Sequence, residues 1–248
     1  MQVSTIISYC SLDKRFIEIN VRQCLQFSDD IIIVGFDSLL NGLKEDFEYL
    51  GSIKNIDSSK IRLLIMPVDK NLDPRYHHNL ARYQAQKFAR YQHVLFLDAD
   101  EILEGDIAKE IFSHPDIPSI EAMSFDGYWY FRDPVNQATT TDVAGLLIDK
   151  TKFQKQSYFT TRERWGLSAA PGIRYVERIQ GPNGPFLHHF SWVRTKEEML
   201  VKVEAWGHKN DRDWAADIHK EFEHEFTGTD FVHKWSYRRV DNKFNIVI

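Results

Sequence analysis

The 248-residue chain is 43% hydrophobic and 27% charged with a formal net charge of −5, which rules out a disordered chain and argues against a nucleic-acid partner, whose binding leaves a basic footprint. Cys10 and Cys24 are the only cysteines, too few for a disulfide framework, and they read as small buried apolar residues in a reducing compartment. No apolar run approaches the roughly 18 residues of a membrane span, and the opening MQVSTIISYCSLDKR lacks a basic leader, so a soluble cytosolic protein is expected.

Taken in chain order, residues 3–9 (VSTIISY) read as a buried strand. Residues 14–27 place Phe16, Ile17, Val21, Cys24 and Leu25 at helical spacing, with Asp13 as the expected N-cap. Residues 30–36 (DIIIVGF) form a second strand, residues 39–50 a weaker helix, and residues 60–68 a third strand ending at Pro67. A polar helix is expected over 73–91, with Pro74 in its permitted first turn. The apolar run HVLFL then drives straight into Asp98, Asp100 and Glu101.

Strands separated by helices of this length predict right-handed βαβ units and a mainly parallel sheet. Near-continuous apolar strands fit a sheet buried on both faces, and ligands of such sheets bind beyond the strands' carboxyl ends. Ser8 and Tyr9, Asp37, and Asp98, Asp100 and Glu101 all fall at that edge, delivered by three separate segments.

Beyond residue 118 the pattern changes. Residues 119–134 alternate and are aromatic, as a strand with one half-exposed face would be, and 143–150 reads as another strand. The segments RERWGLSAAPG and RIQGPNGPFLHHFSW read as ordered loops around a site. Residues 195–208 form a helix with a capping box between Thr195 and Glu198. No repeat or linker interrupts the chain. One domain is therefore expected, with a nucleotide-binding half over 1–118, an acceptor- and metal-completing part over 119–210 and a C-terminal extension over 211–248.

An Asp-x-Asp pair is not evidence by itself: with 21 Asp in the chain, chance places about two such pairs. Two exist, Asp98–Asp100 and Asp211–Asp213, so position must separate them. Asp211 and Asp213 follow a helix in a polar stretch and read as solvated or capping residues. Asp98 and Asp100 end a buried strand, where charge is costly unless a cation or hydrogen-bond donors meet it. Hard oxygen ligands of this kind suit Mg²⁺ or Mn²⁺ completed by phosphates. The alternative is that Asp100 simply N-caps a following helix.

At these residues the chain resembles the GT-A-fold nucleotide-sugar glycosyltransferases, a Rossmann-like α/β fold, through LARYQAQKFARYQHVLFLDADE and, more weakly, through LHHFSWV. The resemblance implies a metal-dependent transfer of a hexosyl or N-acetylhexosaminyl group from a nucleotide-diphosphate sugar to a hydroxyl acceptor. A UDP-sugar is expected ahead of a GDP-sugar. It also implies Mn²⁺ or Mg²⁺ held by Asp98, Asp100 and His189, with Asp98 also reaching ribose or sugar. His189 matches better than His188 because Phe-Ser-Trp follows it. Arg82 would meet the diphosphate, Ser8 and Tyr9 the base, and Asp37 the base or ribose. An inverting reaction would need a general base. Glu163 is preferred, with Asp126 and Asp133 as alternatives. Trp129, Tyr130, Trp165 and Trp192 are candidate sugar-stacking rings. His77 and His78 are adjacent on a helix and poorly placed to share one metal. The competing readings are a sugar-phosphate nucleotidyltransferase, disfavoured because SYCSLDKRF lacks a glycine to grip a triphosphate, and a non-catalytic carbohydrate-binding protein.

Overall fold

Four parallel strands open the chain: β1 (Val3–Ser8), β2 (Asp30–Phe36), β3 (Ile61–Met66) and β4 (His93–Asp98). The computed structural model describes residues 1–69, 71–73, 76–161, 164–168, 170–205 and 207–248. The strands lie in the order β3-β2-β1-β4, and the register sets Ser8 beside Asp98.

The reason these strands are apolar throughout is visible in where successive residues go. Ile31, Ile33, Leu95 and Leu97 enter one core, beneath Ile17 and Val21 of α1 (Lys14–Cys24) and Leu50 of α2 (Glu48–Lys54). Ile32, Val34, Val94 and Phe96 enter the other, beneath Ala81 and Ala85 of α3 (His77–Gln86). A period of two thus buries both faces, each such side chain contributing roughly 1.5–3 kcal/mol.

The second half extends the same sheet. β5 (Glu101–Leu103) is followed by α4 (Gly105–Ser113), β6 (Ala122–Phe131), β7 (Asp133–Asp149), α5 (Lys155–Phe159), β8 (Tyr175–Ile179) and β9 (Leu187–Trp192). α6 (Lys196–Ala205), α7 (Trp214–Glu221) and β10 (Tyr237–Arg239) complete the chain. The sheet continues β4-β7-β6-β9-β5, with β8 on β6 and β10 on β7. No helix among the described residues is long and apolar enough to cross a membrane.

Several expectations are corrected. No helix runs over 39–50: Gly42 has φ +90°, Asn41 caps the turn through Leu43 N, and the helix starts only at Glu48. LHHFSWV is not a loop but contains strand β9, paired to β5 and β6. β6 is buried on both faces over most of its length rather than half exposed. The helix over 73–91 spans only His77–Gln86, and Pro74 lies outside the described residues. Asp13 makes no capping bond; its carboxylate accepts from Arg194 instead. The capping box of α6 is present, Thr195 N donating to Glu198 at 2.9 Å and Glu198 N to Thr195 Oγ1 at 3.3 Å. Asp213 caps α7 by accepting from Ala216 N at 3.0 Å.

Candidate active site

A cavity of about 490 Å³ opens at the carboxyl edge of β1, β2 and β4. Its floor is the turn that follows β4. That turn leads into β5, not into a helix, so Asp100 is not an N-cap. The turn is pinned from three sides. The Asn20 amide donates to the carbonyls of Asp98 at 3.1 Å, Ala99 at 3.1 Å and Glu101 at 2.8 Å. Ala99 N donates to Ser8 O at 2.9 Å, and Phe190 N donates to Asp100 O at 2.8 Å. Asn20, fully buried on α1, was invisible as a site residue because a lone Asn on a helix reads as surface.

The pairing of β5 with β9 brings the distant histidine in. Glu101 lies opposite His189 in that register, leaving His189 Nε2 3.5 Å from Asp100 Oδ1. Strand alternation sends His188 to the other face. There its Nδ1 meets Tyr130 Oη at 2.8 Å and its Nε2 meets Glu104 at 3.0 Å. Tyr130 is thereby a core residue and does not line the cavity.

The acids meet four protein cations. Arg82 Nη2 donates to Asp98 Oδ1 at 2.8 Å, and Arg164 Nη1 stands 3.7 Å from Asp98 Oδ2. Arg164 also grips the fully buried Glu101 with both terminal nitrogens, Nη1 donating at 2.8 Å. On the other side, Lys202 Nζ is 3.5 Å and Arg194 Nη2 3.8 Å from Asp100 Oδ2. Burial alone would raise both aspartic acids. It is outweighed at Asp98 by Arg82 and then Arg164, and at Asp100 by Lys202, His189 and Arg194, so both are held well below the usual carboxylate range. Burial also lowers the Lys202 ammonium, with Arg194 adding to the effect and Asp100 opposing it. Arg164, Arg194 and Lys202 escaped sequence reading, since isolated cations read as solvated charges. The available signal was the burial of Asp98–Glu101 itself, which demands counter-charges.

The remaining candidates divide cleanly. Ser8, Tyr9 and Arg82 line the cavity, and the hydroxyls of Ser8 and Tyr9 are buried without a hydrogen-bond partner. Asp37 does not line it: its carboxylate accepts from Val68 N at 3.1 Å and Ser38 Oγ at 3.2 Å. Glu45 occupies the neighbouring wall instead, accepting from Ser11 N at 2.9 Å. Asp126 is also outside the cavity, and both its carboxylate oxygens are engaged by protein donors, Arg178 at 2.8 Å, Gln180 at 2.7 Å and Thr141 at 2.9 Å. Asp133 is exposed and accepts from Val135 N at 3.0 Å. Glu163 lies outside the described residues. Trp129, Trp165 and Trp192 line the cavity. Trp192 is 3% exposed and stacked on Trp214, which makes it core first, whereas the Trp129 ring lies 4.0 Å from the His189 ring and 5.2 Å from that of His233.

No group of three or more His, Cys, Asp or Glu close enough to hold a metal occurs among the described residues. Asp100 and His189 nevertheless stand as two neighbours around one point would, and Mg²⁺ or Mn²⁺ commonly takes one or two protein ligands and completes its shell with phosphates and water. The residues fit such an ion with two ligands, not three, because the Asp98 oxygens are turned to Arg82 and Arg164.

No family model and no curated protein matches the chain. Solved structures do. The mannosyltransferase PcManGT from Pyrobaculum calidifontis, in complex with GDP-Man and Mn²⁺, aligns over 82% of this chain and 60% of its own at 10% identity, TM-score 0.51. TarS (1–349) from S. aureus aligns over 90% of this chain, at 13% identity and TM-score 0.52 with UDP-GlcNAc and at 14% and 0.51 with UDP, covering 73% and 71% of those chains. The chain has the GT-A fold. It spans only 60% of the length of the mannosyltransferase. In this GT-A fold the acidic turn, the cations and His189 occupy the crevice edge expected for a parallel α/β sheet.

Proposed function

We propose that the protein transfers a sugar from a nucleotide-diphosphate sugar, a UDP- or GDP-sugar, to a hydroxyl acceptor. The observation that carries this reading is the β5–β9 register, which sets Asp100 and His189 side by side at the mouth of a GT-A crevice. A bound Mg²⁺ or Mn²⁺ would supply Lewis-acid stabilisation of the leaving diphosphate. Asp100 and His189 would hold it, and Asp98, held in place by Arg82 and Arg164, would accept from a ribose or sugar hydroxyl. Ser8 and Tyr9, which line the cavity, border the base. Trp129, beside His189, offers a flat face to the sugar.

A ligand that binds only the folded chain raises its melting temperature by mass action, about 2.7 kcal/mol at 100 times Kd. Thermal melting with UDP, GDP and dTDP, each with and without Mn²⁺, is therefore expected to show a rise for one diphosphate that is largest when Mn²⁺ is present. No rise with any of the three would overturn the reading.

A further inference from the structure

The histidines of the cavity are held in different ways. His77 Nε2 meets Asp69 O at 3.0 Å, and His189 faces Asp100. The His233 ring stacks on Trp235, with its Nδ1 3.9 Å from Asp230, beyond a hydrogen bond. His208 also lines the cavity, in the turn that follows α6. Its Nδ1 lies 2.8 Å from Asp211 Oδ2. Asp211 belongs to the second Asp-x-Asp pair, whose other member, Asp213, caps α7.

The turn is fixed through its backbone as well. His208 O accepts from Asp211 N at 3.0 Å and from Trp214 Nε1 at 2.8 Å. The Trp214 ring stacks on the buried Trp192 at 5.7 Å and lies 4.0 Å from the Arg212 guanidinium. Backbone and ring of His208 are thus both restrained. Stability does not account for the restraint on the ring, since the side chains of His208 and Asp211 are 31% and 45% exposed, and a pair in contact with solvent adds little.

An ionised carboxylate only accepts, so Nδ1 carries the shared proton and Nε2 keeps the lone pair. A histidine oriented through Nδ1 by a carboxylate, with Nε2 as the basic atom, is the arrangement of a general base. Asp126 and Asp133, the described carboxylates from which a base was expected, do not line the cavity. We infer that His208 is the catalytic base that takes the acceptor's hydroxyl proton, and that Asp211 is its positioning residue. The inference rests on the glycosyl-transfer reading above. In that reaction the bond from the anomeric carbon to the diphosphate oxygen breaks, and its electron pair stays on the diphosphate. The acceptor oxygen bonds to the anomeric carbon, and its proton passes to His208 Nε2. The imidazolium so formed faces the Asp211 carboxylate and then returns the proton to solvent. This single displacement inverts the anomeric centre.

The test supplies UDP-glucose, UDP-N-acetylglucosamine and GDP-mannose with Mn²⁺, with water as the acceptor, and follows release of the diphosphate. A base that faces the anomeric carbon serves water when no other hydroxyl is offered. His208→Ala is expected to lower kcat by at least about 100-fold and to leave diphosphate affinity, measured by calorimetric titration, unchanged. Imidazole in solution restores turnover to His208→Ala in proportion to its concentration, which a merely structural histidine would not allow. Asp211→Asn also lowers kcat and leaves diphosphate affinity unchanged. Proton NMR shows the released sugar first in the configuration opposite to the donor's. Wild-type turnover in His208→Ala, a loss that imidazole does not restore, a joint loss of turnover and diphosphate binding, or retention of the donor's configuration would overturn the inference. So would a wild type that binds a diphosphate and turns over none of the three donors. Failure of wild type to bind UDP, GDP or dTDP instead overturns the glycosyl-transfer reading, and this inference with it.

Discussion

Replacing Asp100 by asparagine is expected to weaken Mn²⁺-dependent nucleotide binding by at least about 100-fold, since even the outer partners of metal ligands are worth 10–100-fold. The variant keeps the shape of the side chain and removes the one charge that faces His189, Lys202 and Arg194 together. His189→Ala should follow it in direction. His188→Ala should not, because His188 is committed to Tyr130 and Glu104 on the opposite face of β9. The readout is titration of the diphosphate with and without Mn²⁺. Binding by Asp100→Asn that equals wild type would move the metal site elsewhere.

The second large effect is on stability. Glu101 is fully buried and Arg164 nearly so, and the guanidinium grips the carboxylate through both terminal nitrogens. Removing one member of such a pair strands the other, at a cost of about 3–5 kcal/mol. Glu101→Ala is expected to lose that amount in urea unfolding at neutral pH. Replacing both members, Glu101→Leu with Arg164→Met, is expected to recover much of it, because an apolar pair needs no desolvation of charge. Nucleotide binding should not return with stability, since Asp98 has then lost one of its two guanidinium neighbours. A loss below about 1 kcal/mol in Glu101→Ala would mean that the pair is solvated.

What was legible in the sequence follows from which forces act locally. The four parallel strands are written as apolar runs because both faces are buried, and the helices between them as 3.6-residue spacing. The Asp98–Glu101 turn was legible as an acidic ending to such a run, once its bare frequency had been set aside as chance. The β5–β9 pairing was not, because it joins Glu101 to His189 across most of the second half of the chain, and no local periodicity records a partner strand. The glycines and prolines of GPNGP before Leu187 made β9 look like a loop. The helix over 39–50 failed for the converse reason: Leu39, Leu40 and Leu43 suit a helix, but Asn41 and Gly42 take the turn. Asp126 was read as reactive because a half-exposed strand was expected around it. Inside a strand buried on both faces, a carboxylate must be satisfied by donors, and three supply them.

The four cations follow the same logic from the other direction. Arg82 alone was singled out, because it precedes the acidic strand. Arg164, Arg194 and Lys202 come from a short helical turn, the bend between β9 and α6, and the middle of α6. Only the folded sheet shows that they converge on one acidic turn.

The central claim is that Asp100 and His189 hold a divalent ion against a nucleotide diphosphate. A crystal grown with Mn²⁺ and the diphosphate that raises the melting temperature, measured by anomalous diffraction at the manganese edge, tests it directly. The account predicts one peak bonded to Asp100 and His189 at about 2.0–2.2 Å, with the diphosphate on its open side and Arg82 beside it. A manganese peak away from both residues, or a diphosphate bound outside this cavity, would contradict it.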